Sequence, residues 1–100
     1  MAEQSTKQEV QVVFPNDLKG GVYSNFMVVT HTKEEFVLDF MVVVPPVGSV
    51  TARVITSPGH LKRMISALLQ NVNKYEEKFG RLIAAEEPPK PKMGFHPPVD

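Results

Sequence analysis

Apolar and polar residues alternate along the first half of this chain and recur every third or fourth position along the second. From Glu9 to Phe14 the period is two. Val10, Val12 and Phe14 fall on one side and Glu9 and Gln11 on the other, which predicts a first strand ended by Pro15. Pro15-Asn16-Asp17 and Gly20-Gly21 mark a connection. A second strand over about Val22 to Thr30 and a third over about Glu35 to Val44 flank the polar turn His31-Thr32-Lys33-Glu34 and predict a hairpin. Setting Thr30 against Phe36 puts Val28 opposite Leu38 and Phe26 opposite Phe40. Pro45-Pro46-Val47-Gly48 turns the chain into a fourth strand, about Ser49 to Thr56.

The period then lengthens. Ser57 suits a helix N-cap, Pro58 the first helical position and Gly80 a C-terminal cap. Between them Leu61, Met64, Ile65, Leu68, Leu69, Val72, Tyr75 and Phe79 form one helical stripe. Such a helix is about 33 Å long and could lie across a four-stranded sheet. The expected fold is α+β, a four-stranded antiparallel meander followed by one long C-terminal helix. A disordered, polar N-terminal arm over residues 1–8 and a disordered or polyproline-like, Pro/Lys-rich tail over residues 86–100 are expected to flank a single domain over 9–85.

Both sheet faces come out apolar. One carries Val10, Val12, Phe14, Phe26, Val28, Phe36, Leu38, Phe40, Val42, Val44, Val50, Ala52 and Val54, and the helix is expected to cover it. The other carries Tyr23, Asn25, Met27, Val29, Val37, Asp39, Met41, Val43, Arg53 and Ile55. A solvated face would be mostly charged and polar. This second face is therefore expected to be an interface, either between like subunits or with a client chain. In the register where Val44 opposes Val50, Arg53 is a diagonal neighbour of Asp39, and the two form a pair that makes their charges tolerable there.

Composition narrows the functions. Eleven basic and eleven acidic residues cancel, so no basic face points to nucleic acid. With no cysteine, disulfides, thiolate metal sites and a cysteine nucleophile are excluded. The longest apolar run is too short to span a bilayer, and the first residues have no apolar core of a signal peptide. A cytoplasmic location is expected. His31, His60 and His96 have no metal-site spacing, the serines lack a nucleophile motif, and Asp39 has no second acid to work with. No cofactor and no catalytic residue is expected. Tyr23-Ser24-Asn25 is an unusually polar strand start, with groups able to bond a neighbouring subunit, a ligand or water.

Four segments carry a family resemblance: Gly-Val-Tyr-Ser-Asn at 21–25, His-Thr-Lys-Glu-Glu-Phe-Val-Leu-Asp-Phe at 31–40, Arg-Val-Ile-Thr-Ser-Pro-Gly-His-Leu-Lys-Arg at 53–63, and Asn71 through Gly80. Together they resemble the domain-of-unknown-function family numbered 3467. The resemblance implies a compact prokaryotic domain and transfers no site residues. The predicted architecture is also similar to that of the SecB export chaperone, an analogy of fold alone. The leading expectation is a non-enzymatic protein that partners itself as a dimer or tetramer. The alternatives are a SecB-like holdase binding unfolded polypeptide, and a small ligand-binding domain or enzyme with a subunit-shared site near Tyr23, Asn25 and His31.

Overall fold

The computed structural model describes residues 8–86. The chain divides into two compact units, Met1–Leu61 and Lys62–Asp100, and each is described by itself. The elements in order are β1 (Phe26–His31), β2 (Phe36–Val44), β3 (Val47–Thr56) and α1 (Pro58–Phe79). The fold is α+β: one antiparallel sheet in the order β1-β2-β3, followed by one C-terminal helix. Apart from Gln8 and Glu86, the expected N-terminal arm and Pro/Lys-rich tail lie outside the described residues.

The fourth strand expected over Glu9 to Phe14 does not form. Residues 8–15 carry no regular secondary structure, and Val10, Val12, Val13 and Phe14 are exposed. Alternation equips a segment to be a strand, but a strand exists only where its backbone groups find a ladder partner. Among the described residues no edge of the sheet takes this segment. The connection that follows behaves as its residues demand. A short 3-10 turn spans Asn16–Leu18, and Gly21 adopts a φ of +70° as it accepts the chain reversal, donating its N–H to Leu18 O at 3.0 Å.

The first hairpin forms one residue away from the expected register. His31 opposes Phe36, so Thr30 faces Val37, Val28 faces Asp39 and Phe26 faces Met41. The turn explains the shift. Thr32 donates its N–H to Glu35 O at 2.9 Å, continuing the ladder past His31, while its Oγ1 accepts the amides of Glu34 and Glu35, each at 3.2 Å. A threonine hydroxyl satisfying two turn amides makes the tighter loop the better one. Because side chains alternate, a slip of one residue moves every β1 side chain to the opposite face.

The second hairpin is also tighter than expected. Val44 pairs with Val47, so β3 begins at Val47 and Pro45-Pro46 alone makes the turn; the peptide bond between them is cis. A bulge at Thr51 shifts the ladder between Phe40↔Ala52 and Met41↔Val50. Thr51 Oγ1 lies 3.2 Å from Phe40 O, so the side chain of the extra residue binds the backbone its insertion disturbs. Gly48 faces Val43, and a Cβ there would stand 3.3 Å from Val43 Cγ2, which suits a glycine at this pairing.

Among the described residues β2, bonded on both edges, is the only strand with buried residues: Leu38, Asp39 and Met41. α1 has none, and its apolar stripe stands exposed at Ile65, Leu68, Leu69, Val72, Tyr75 and Phe79. Its ends are capped as expected. Ser57 Oγ accepts the His60 amide at 3.2 Å, and Ser57 O accepts the Leu61 amide at 3.0 Å. At the other end Gly80, with a φ of +97°, donates its N–H to Glu76 O at 3.0 Å.

Replacing Ser57 with Ala leaves the His60 amide without its cap and is expected to lower the unfolding free energy by about 1 kcal/mol. Urea unfolding measures it through a lower midpoint at unchanged slope. An unchanged midpoint would show that the cap contributes nothing.

Candidate functional site

The observed register sorts the expected interface residues onto two faces. Val37, Asp39, Met41, Val43, Arg53 and Ile55 share one face, and β1 adds Phe26 and Val28 to it. Met27 and Val29 lie on the opposite face, beside Phe40 and Leu38. The ten-residue surface expected from the sequence is therefore not one continuous patch. Phe26 and Val28, assigned by the slipped register to the covered face, replace two of its members. The only signal that could have found this was the Thr32 hydroxyl, placed to accept both following amides.

Tyr23, Ser24 and Asn25 precede β1, and their polar groups turn inward to the sheet backbone. The Asn25 side chain imitates a ladder residue: Nδ2 donates to Val43 O at 3.1 Å, and Oδ1 accepts the Val43 amide at 2.8 Å. Ser24 Oγ lies within hydrogen-bonding distance of Phe26 O and Met41 O, at 2.9 and 3.2 Å. Tyr23 O is 3.2 Å from Thr51 Oγ1 of β3. Tyr23 thus approaches β3 while Ser24 and Asn25 bond to β2. The segment spans the sheet at the level of Met41, which is only 3% exposed. The Tyr23 ring projects to solvent. His31 sits at the other end of β1, its ring tilted against Phe36 at a centroid distance of 5.2 Å. Six residues of extended chain separate Asn25 from His31, about 20 Å.

At the middle of the same face Asp39 directly opposes Arg53, where a diagonal relation was expected. The pair is bidentate, with Nε–Oδ1 at 2.6 Å and Nη2–Oδ2 at 2.9 Å. Asp39 is buried in the central strand, while the Arg53 side chain is 63% exposed. A buried carboxylate needs its charge answered, and an edge-strand arginine can answer it while its stem lies along the sheet. The hydrogen bonds from Arg53 hold the Asp39 carboxyl below the usual carboxylate range. Burial pushes it the other way, and the guanidinium charge adds a smaller downward pull. The same bonds, with the carboxylate charge, raise Arg53 against the opposing effect of burial. A carboxylate held ionised in this way serves as an anchor and is poorly suited to accept protons.

Among the described residues no group of three His, Asp or Glu side chains could hold a metal, and no helix is long and apolar enough to cross a membrane. The feature left out of the expected site is α1. Toward its C-terminal end, Leu68, Val72, Tyr75, Phe79 and Leu82 line a shallow apolar groove of about 500 Å³. Leu82 is held there by its amide, which donates to Glu76 Oε2 at 3.0 Å.

These features define a small α+β protein whose sheet and helix present apolar surface and whose polar groups are largely spent on its own backbone. The chain matches, over residues 1–84, the family described as Protein of unknown function (DUF3467), and it belongs to that family. No curated protein and no solved structure matches it. The architecture expected by analogy with SecB, four strands before the helix, is not found among the described residues, where three strands precede α1.

The Asp39–Arg53 geometry sets an acid dependence. Because the folded carboxyl is depressed, the stability it contributes is full above the ordinary aspartate value of about 3.9 and is lost as the pH falls below it toward the folded value. Asp39→Asn is expected to be less stable than the parent at neutral pH and to lose less stability below about pH 4. Chemical denaturation across pH 2 to 7 checks this, and parallel pH curves for the two proteins would remove the pair from the account.

Proposed function

We propose that this protein is a non-enzymatic interaction protein that works as a homo-oligomer. The observation that carries this reading is the shortage of interior. Among the described residues only Leu38 and Met41 are buried hydrophobics, while Leu68 and Phe79 are each 66% exposed and Val29, Ile55 and Leu69 also stand open. Large contiguous apolar surfaces rarely stay exposed on soluble chains. A domain of this length buries only about 60% of its unfolded surface even when well packed. Association with further copies supplies the missing contacts without any additional element. The neutral net charge sets up no long-range repulsion between copies.

The same exposed surface favours a second reading, a holdase that offers it to unfolded chains; the exposed Met27 suits such adaptable contacts. A ligand site near Tyr23, Asn25 and His31 has less support, because Asn25 is engaged by Val43 and His31 lies at the far end of β1.

Light scattering behind a sizing column, with and without a hydrophobic-surface dye, tests the proposal. A discrete dimer or tetramer that binds no dye is the expected result. A discrete oligomer that binds dye would favour the holdase, and a monomer would overturn self-assembly. Leu68→Lys is expected to weaken the oligomer roughly tenfold or more, the scale of losing one buried leucine side chain.

A further inference from the structure

We infer that α1 pairs with α1 of a second copy in antiparallel direction, with Leu68 of each chain against Val72 of the other. The inference rests on the self-assembly reading and specifies its contact. Within the exposed stripe, Leu61, Ile65, Leu68, Val72, Tyr75 and Phe79 are spaced by four, three, four, three and four residues. Alternating steps of four and three make a seven-residue repeat, that of a helix pair with interlocking side chains.

Two observations set the direction. The first is size. The stripe is narrow at its N-terminal end, at Leu61 and Ile65, and broad at its C-terminal end, where Tyr75 and Phe79 stack at a centroid distance of 5.0 Å. A parallel pair would set Tyr75 on Tyr75 and Phe79 on Phe79, and would leave the small residues together. In the antiparallel pair centred on residue 70, every layer joins a position of one kind to its complement: Ile65 to Tyr75, Leu68 to Val72, and Leu61 to Phe79. Large meets small in two of these three layers, which fills space evenly. The groove beside Tyr75 and Phe79 is then occupied by the Ile65 end of the second helix.

The second is charge. On one flank of the stripe stand Lys62, Leu69 and Glu76, seven residues apart. The antiparallel pair brings Lys62 of each chain to Glu76 of the other and places the two Leu69 side chains together near the two-fold axis. The flank is self-complementary: positive, apolar, negative. Glu76 is half-buried, and its Oε2 already accepts the Leu82 amide, which holds the carboxylate beside the stripe. A parallel pair brings no opposite charges together along either flank and leaves Lys62 and Glu76 of different chains about 21 Å apart, two heptads of helical rise.

The natural chain has no cysteine, so single introduced thiols report without background. The full chain carrying Ile65→Cys is mixed with the full chain carrying Tyr75→Cys under mild oxidation. The expected result is a disulfide-linked heterodimer in the mixture and little linked dimer from Ile65→Cys alone. Linked Ile65→Cys homodimers would establish a parallel pair and overturn the inference. A wild-type oligomer by mass with no cross-link in any arm would also overturn it while leaving self-assembly intact, and a monomeric wild type would sink both. Charge changes supply a readout that leaves the core unaltered. Lys62→Glu should raise the dissociation constant roughly three- to tenfold, and adding Glu76→Gln, which keeps a side-chain oxygen for the Leu82 amide, should recover part of the loss. Additive losses in the double variant would overturn the pairing.

Discussion

Placement of side chains across the sheet depends on the Thr32 turn. Its N–H extends the ladder one pair beyond β1 and its hydroxyl accepts two amides that a polar loop would otherwise leave to water. From that turn onward, Val28 must face Asp39 and Phe26 must face Met41. The apolar Val28 therefore flanks the buried carboxylate on one side while Arg53 answers it on the other. In the register that sets Thr30 against Phe36, Met27 would take that place and Val28 would lie opposite Leu38. The faces would exchange their β1 members without any change in composition.

The polar residues of the first unit serve mainly to complete this sheet. Asn25 extends the pairing of β2 beyond the end of β1, and Ser24 and Thr51 bring their hydroxyls to carbonyls around the bulge. Asp39 and Arg53 neutralise each other across the central pair of strands. Polar groups that satisfy one another in this way make a single register distinguishable from its neighbours, because each slip would leave a donor or acceptor unanswered. What these groups build is a scaffold, and the surface it presents is apolar.

That surface is the counterpart of the chain's size. Three strands give one doubly bonded strand and two edges, so only β2 can be enclosed by its neighbours. The helix satisfies its own backbone and both of its ends, yet buries none of its side chains. Secondary structure is thus complete within one chain while the interior is not. Assembly between copies is the physical remedy proposed for that imbalance, and the distribution of size and charge along the helical stripe gives it a direction.

Local chemistry made much of the fold readable. Ser57 and Gly80 bracket a helix because a hydroxyl and a missing Cβ solve the two ends of any helix in the same way everywhere. The two hairpins were marked by His31-Thr32-Lys33-Glu34 and Pro45-Pro46-Val47-Gly48, and the Asp39–Arg53 pair by two opposite charges in otherwise apolar strands. Membership of the family was legible in the segments around Tyr23, His31, Arg53 and Tyr75. Sequence alone determined the three strands of the sheet and the helix as local elements, since period, caps and turn residues act within a few positions of one another. Register, the fate of Glu9 to Phe14, and the enclosure of any side chain were decided only by tertiary structure. Alternating residues are compatible with either register and with no pairing at all, and the choice falls to hydrogen bonds between residues far apart in the chain, such as Asn25 with Val43 and Thr51 with Phe40.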